Sequence, residues 1–183
     1  MRFAQIGRNI PNLVTLARMV MTPIVVQMIV SERYLPAFLI FLLAGVSDGI
    51  DGFIARRFRL RTELGAYLDP LADKALLISI YVTLAIYREM PAWVAIAVVS
   101  RDVMILVAVV VSWLLAKPVE IRPVWVSKFN TAAQIALAGF ALGARAYGVD
   151  PFPVQTVLEW TVAASVVASG GVYIAQWLDH MTR

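Results

Sequence analysis

The chain has 183 residues, of which 61% are hydrophobic and 15% charged, with 16 Lys and Arg against 12 Asp and Glu and a mean hydropathy of +0.78. A soluble domain carries about a quarter charged residues, so this composition belongs in a bilayer, where each charge lies outside the hydrocarbon or has work to do inside it. Cysteine is absent and His180 is the one histidine, which excludes disulfide scaffolds, thiolate or His-rich metal sites and Cys- or His-based nucleophilic catalysis.

Residues 1–10 hold Arg2 and Arg8 and no acid. They read as a short interfacial helix on the inner leaflet, or alternatively as a frayed terminus. Six apolar runs follow, near residues 13–30, 35–55, 66–87, 92–116, 125–147 and 154–178, each close to the ~20 residues that a membrane span needs. Charged or Pro- and Gly-containing breaks separate them: Ser31-Glu32-Arg33, the basic stretch 56–63, Arg88-Glu89-Met90-Pro91, the stretch 117–123 and Gly148-Val149-Asp150-Pro151-Phe152-Pro153. The expected fold is an all-α membrane protein, a bundle of six transmembrane helices with a short N-terminal interfacial helix. It forms a single domain over residues 1–183, and the short connections imply antiparallel neighbours.

Basic residues orient the bundle. With the N-terminus inside, the cytoplasmic segments hold Arg2, Arg8, Arg56, Arg57, Arg59, Arg61, Lys117, Arg122 and Arg183, and the opposite side only Arg33, Arg88 and Arg145. Both termini are therefore expected on the cytoplasmic side of a multi-pass protein, in a bacterial inner membrane. The pI of about 9.7 then reflects affinity for anionic inner-leaflet lipids and not for nucleic acid. Trp93, Trp113, Trp125, Trp160 and Trp177 read as span-end anchors and packing, and Gly170-Gly171 as a close helix contact or a dimer surface.

Inside the apolar runs remain Arg18, Lys74, Arg101 and Lys128, with Asp48, Asp51, Asp69, Asp73, Asp102 and Glu159. An ionised group at membrane depth costs at least ~2.5 kcal/mol, so a polar site is expected. Asp48 and Asp51 are three apart and share a helix face with Gly52 and Ala55; Asp69 and Asp73 are four apart and follow Gly65 on one face. Each pair lies about 12 Å in from the basic turn at 1.5 Å per residue, so adjacent antiparallel helices would bring four carboxylates together. Such a cluster requires cations, and oxygen-only ligation suits Mg²⁺ or Mn²⁺, two ions matching the charge better than one. Gly52, Ala55 and Gly65 would admit a phosphate group to the backbone, with Arg56 at the mouth. Read singly, the small residues fit ordinary helix packing and an isolated Asp fits a proton relay.

The pattern Asp48-x-x-Asp51-Gly52-x-x-Ala55-Arg56, eight residues, then Gly65-x-x-x-Asp69-x-x-x-Asp73 resembles in full the signature of the CDP-alcohol phosphatidyltransferases. The likeness extends back to Asn9-Ile10-Pro11-Asn12-Leu13-Val14-Thr15-Leu16-Ala17-Arg18 and weakens after about Tyr147. It implies a six-helix enzyme, a homodimer, that transfers a phosphatidyl group from CDP-diacylglycerol to an alcohol and releases CMP at the cytoplasmic side. By this resemblance Asp48, Asp51, Asp69 and Asp73 are metal ligands, with Asp73 also the general base. Gly52, Ala55, Arg56 and Gly65 bind the cytidine diphosphate, and Asn12 and Thr15 are weaker candidates for the same pocket.

Ser100-Arg101-Asp102-Val103-Met104 and Trp125-Val126-Ser127-Lys128-Phe129-Asn130 resemble the CMP-forming cardiolipin synthases more than the phosphatidylglycerophosphate synthases, in which Glu more often stands at Asp102 and a second Lys at Asn130. Arg101 and Lys128 read as paired cations facing an acceptor phosphate, or Arg101 simply pairs with Asp102 or another acid. The expected reaction gives cardiolipin from phosphatidylglycerol; the alternative acceptor is glycerol-3-phosphate. An ion transporter explains the buried aspartates but not the Gly and Ala on their faces, and an inactive relative does not explain the intact signature. The phospholipase-D-like cardiolipin synthases need two His-containing motifs, which one histidine cannot supply.

Overall fold

The computed structural model describes the backbone of residues 2–58, 63–115 and 125–182, and the side chains of residues 15–49, 71–108, 110–115 and 125–181. The described residues form six helices: α1 Arg2–Val30, α2 Tyr34–Phe58, α3 Glu63–Ile86, α4 Ala92–Leu114, α5 Trp125–Tyr147 and α6 Val154–Thr182. Each apolar run is one helix, the form that satisfies every backbone polar group within its own segment. The opening stretch is not a separate element, because α1 runs unbroken from Arg2 through Pro11 into the first apolar run. An interior proline removes one ladder hydrogen bond, and that loss does not end this helix.

Among the described residues, α4 (Ala92–Leu114) and the stretch Val154–Met181 are long and apolar enough to cross a bilayer, and shorter apolar stretches cover Thr15–Val30 and Tyr34–Gly49. Outward-facing side chains are apolar: Leu39, Leu43 and Val46 on α2, Ile96, Leu106 and Val110 on α4, and Val157 and Val167 on α6 are exposed. Such a girdle suits lipid and not water.

Packing follows a ring. Helix α1 touches α2 and α3, α2 touches α5, α5 touches α6, α6 touches α4 and α4 touches α3, while α3 and α5 meet across the middle. Successive helices are neighbours at α1–α2, α3–α4 and α5–α6, but among the described residues α2 does not pack on α3, nor α4 on α5. The expectation that short connections make every successive pair adjacent is corrected there. Helix α1 occupies the groove between α2 and α3 with one stripe at helical spacing, whose buried members are Thr15, Arg18, Val25 and Ile29. The polar end of that stripe needs anionic partners, and both flanking helices supply them.

The core is built from Val25, Ile29, Phe41, Ile80, Leu84, Val94, Val98, Leu137, Leu142 and Val162, all buried. Glycines set two of its seams. A Cβ on Gly139 would lie 3.3 Å from the Phe41 ring and one on Gly143 3.2 Å from the Phe38 ring, so α5 approaches α2 through them. Gly170 meets the Met104 methyl at 3.2 Å, whereas Gly171 faces nothing within 4 Å. Gly170 is therefore the close helix contact of that pair.

One end of the bundle is tied down. Helices α1, α3 and α5 each finish with paired hydrogen bonds closing on a left-handed residue, as in Arg33 N to Met28 O (2.8 Å), Glu89 N to Leu84 O (2.9 Å) and Val149 N to Ala144 O (2.9 Å). The left-handed residues are Glu32, Arg88 and Gly148. At the same end Glu89 accepts a hydrogen bond from Tyr34 (2.8 Å), pairs with Arg145 and lends its carbonyl to Gln155 (2.9 Å). Gln155 also donates to Glu159 (2.9 Å), a carboxylate within the last apolar run that is buried against the bundle. Three helices, α2, α5 and α6, and the α3–α4 turn meet in this cluster.

Candidate active site

The first element of the site is Arg18. Its side chain is 4% exposed and forks between two helices: Nη2 donates to Asp48 Oδ1 on α2 at 2.7 Å, and Nη1 pairs with Asp73 Oδ1 on α3. The two carboxylates are 45% and 42% exposed, so each retains open surface while paired with the guanidinium. Thr15 lies one turn before Arg18 and is buried on the same stripe. Thr22 Oγ1 donates to the Arg18 carbonyl at 3.0 Å.

Asp48 and Asp73 are thus brought to one guanidinium, from the two halves of the aspartate motif. Helices α2 and α3 are continuous over the motif positions nearest them, which the spacing argument required. The side chains of Asn12, Asp51, Ala55, Arg56 and Asp69, and the surroundings of Gly52 and Gly65, lie outside the described residues. Among the described residues no three His, Cys, Asp or Glu side chains converge on a metal position; a complete ligand set would need Asp51 and Asp69 as well. The described donors fit a hard divalent ion in kind, being carboxylate oxygens that retain open surface.

A second network begins one residue further along α3. Lys74 Nζ lies 2.6 Å from Asp102 Oδ1, and the same oxygen accepts from Arg101 Nη1 at 2.7 Å. Arg101 Nη2 donates to Ser127 Oγ on α5 (2.7 Å) and Ser169 Oγ on α6 (2.6 Å), and the guanidinium sits 5.5 Å from the Tyr173 ring centroid. The side chain of Arg101 is 6% exposed. It pairs with Asp102, the alternative that the sequence left open. Lys128 is exposed with Nζ 4.9 Å from the Trp125 ring centroid, so the two cations expected to act together have separate partners here.

Further along the same face of α5, Asn130 and Gln134 are buried. Ser165 Oγ donates to Asn130 Oδ1 at 2.8 Å and the Tyr81 hydroxyl to the Gln134 carbonyl at 3.0 Å. Sequence reasoning placed Arg18 and Lys74 among the intramembrane charges without giving them a role. Part of the signal was available, because a cation in an apolar run must be paired and Lys74 directly follows Asp73, whereas Arg18 lies 30 and 55 residues from its two aspartates.

The CDP-alcohol phosphatidyltransferase family model matches residues 8–168. The chain belongs to the CDP-alcohol phosphatidyltransferase family. Relatives in this family carry two kinds of name. The chloroplastic CDP-diacylglycerol–glycerol-3-phosphate 3-phosphatidyltransferase 1 of Oryza sativa is 35% identical over 88% of this chain and 54% of its own length. The CMP-forming cardiolipin synthase of Homo sapiens is 34% identical over 90% of this chain and 60% of its own length. The CDP-diacylglycerol–glycerol-3-phosphate 3-phosphatidyltransferase of Bacillus subtilis is 29% identical over 92% and 94%. The chain thus spans little more than half of the rice and human proteins and nearly all of the Bacillus one.

Proposed function

We propose that this phosphatidyltransferase-family chain moves the phosphatidyl group of CDP-diacylglycerol to phosphatidylglycerol, giving cardiolipin and CMP. The observation that carries the transfer reading is the convergence of Asp48 and Asp73 on Arg18, which joins the two halves of the aspartate motif at one place. The acceptor hydroxyl oxygen attacks the phosphatidyl phosphorus, the phosphorus–oxygen bond to CMP breaks, and CMP leaves with the electron pair. Asp73 receives the hydroxyl proton. Asp48, Asp51, Asp69 and Asp73 would hold two Mg²⁺ or Mn²⁺ ions, which neutralise the diphosphate and stabilise the leaving phosphate. Gly52, Ala55, Arg56 and Gly65 take the cytidine diphosphate, with Asn12 and Thr15 at its edge.

Phosphatidylglycerol is favoured as acceptor by the surroundings of Asn130. This neutral side chain is fully buried and hydrogen-bonded by Ser165, where a second lysine would suit the dianion glycerol-3-phosphate. Arg101 and Lys128 remain the proposed cations on the acceptor side, Arg101 through its network and Lys128 from its exposed position. The second reading, phosphatidylglycerophosphate synthesis, is favoured by the names of the rice and Bacillus relatives.

The reading includes a single-domain, multi-pass protein with six spans and both termini inside. Its site opens to the cytoplasmic face of a bacterial inner membrane, and the protein works as a homodimer. The bundle end that carries the Tyr34–Glu89–Arg145 cluster is the outer end. Purified protein given labelled CDP-diacylglycerol, Mg²⁺ or Mn²⁺ and each acceptor separately tests the assignment. Cardiolipin is expected with phosphatidylglycerol; product with glycerol-3-phosphate alone overturns it in favour of the second reading.

A further inference from the structure

The two halves of the aspartate motif sit on helices that do not pack on each other among the described residues; α1 lies between them. The separation of Asp48 from Asp73 is therefore set through α1, and Arg18 is the α1 side chain that reaches both. The guanidinium is buried while both carboxylates are nearly half exposed. Its Nε has no hydrogen-bond partner among the described residues, while Nη2 and Nη1 are engaged by Asp48 and Asp73. A planar fork with fixed donor directions can hold two carboxylates at one spacing, which the point charge of a lysine cannot do.

We propose that Arg18 is a positioning residue that fixes the spacing of Asp48 and Asp73 and thereby sets the affinity of the site for divalent cations, without touching substrate. The inference rests on the metal-ligand role given to the aspartates above. Two effects of removing Arg18 have opposite signs. Loss of a positive charge beside a cation site strengthens cation binding, whereas loss of the brace lets two mutually repelling carboxylates separate and weakens it. Groups that orient metal ligands typically contribute ~10–100-fold in metal affinity. The brace dominates here, because Arg18 links carboxylates on two helices that do not pack on each other among the described residues.

The test is Mn²⁺ titration of the full-length protein in detergent, followed by electron paramagnetic resonance, on the wild type, Arg18→Gln and Arg18→Lys. Arg18→Gln is expected to bind Mn²⁺ ~10–100-fold more weakly. Arg18→Lys, which keeps the charge and with it the better prospect of folding, is expected to be weakened as well. At saturating Mn²⁺ the KM for CDP-diacylglycerol should stay within about threefold of wild type, since the role is indirect. Tighter or unchanged Mn²⁺ binding in both variants overturns the proposal, as does a raised KM that excess metal does not restore. If Arg18→Gln does not fold, Arg18→Lys alone decides. Failure of the wild type to bind Mn²⁺ would instead remove the metal-ligand reading itself.

Discussion

The Lys74 ammonium lies 2.6 Å from Asp102, one residue along α3 from the carboxylate of Asp73 that meets Arg18. Asp102 is the shared anion of Lys74 and Arg101, and Arg101 is the more deeply buried of the two. Removing one partner of a buried pair costs ~3–5 kcal/mol, and the exposure of Lys74 places this case at the lower end. Asp102→Asn should lower the thermal unfolding midpoint in detergent by several degrees. Lys74→Met, removing the exposed partner, should change it by much less. Equal effects of the two substitutions would contradict this ranking.

The carboxylate of Asp73 is the proposed proton acceptor, and an amide can still accept from Arg18 through its oxygen. Asp73→Asn should therefore leave the folded state intact and lower CMP release by ~10²–10⁴-fold, the usual contribution of a positioned base. Chelation of divalent ions should abolish CMP release in the wild type, and added Mg²⁺ or Mn²⁺ should restore it. Radiolabelled CMP release measures both, and turnover that survives Asp73→Asn would reassign the base.

Burial, followed by the hydrogen bond to Glu89 and the charge of that carboxylate, pushes the Tyr34 hydroxyl up to about 12 from its ordinary 10. The folded state favours the neutral phenol, so this contribution to stability is complete below pH 10 and is lost as pH rises from 10 to 12. Tyr34→Phe should unfold at a lower temperature than wild type at pH 8, by about 1 kcal/mol for the lost hydrogen bond. The gap should close by pH 12. Unfolding midpoints of both proteins between pH 8 and 12 check the slope, and a gap that widens with pH would reverse the assignment.

Gly139 sits on the α2–α5 seam and Gly171 faces open space. Gly139→Val should force the Phe41 ring out of place at a cost of ~1–3 kcal/mol. Gly171→Val should be nearly neutral for the folded monomer. A large effect at Gly171 would instead mark that face as covered by a second copy of the chain, and size-exclusion chromatography on the variant would show it.

The helices were legible because apolar runs of span length have one stable form in a bilayer, and charged breaks such as Ser31-Glu32-Arg33 end them sharply. The pairing order was not legible. Hydropathy says that a stripe on α1 is buried and nothing about which helices bury it, so the insertion of α1 between α2 and α3 escaped the spacing argument. The aspartate pairs at three and four residues were readable because those intervals are helix geometry. The partnership of Arg18 with Asp48 and Asp73 spans 30 and 55 residues and depends on packing order. Arg101 illustrates the same limit. Its need for an anion was plain from the sequence, but its reach to Ser127 and Ser169 follows from where α4, α5 and α6 converge.

The contact of α3 with α5 across the ring closes two smaller rings of helices, α1, α2, α5 and α3 on one side and α3, α4, α6 and α5 on the other. Asp48, Arg18 and Asp73 belong to helices of the first; Lys74, Asp102, Arg101 and Ser169 belong to helices of the second. Helix α3 is common to both, and it carries Asp73 to the Arg18 network and Lys74 to the Asp102 network. A ligand that draws on both networks must straddle that helix. A displacement of α3 along its own axis would then move both sets of contacts at once, so the two networks are mechanically coupled through one helix.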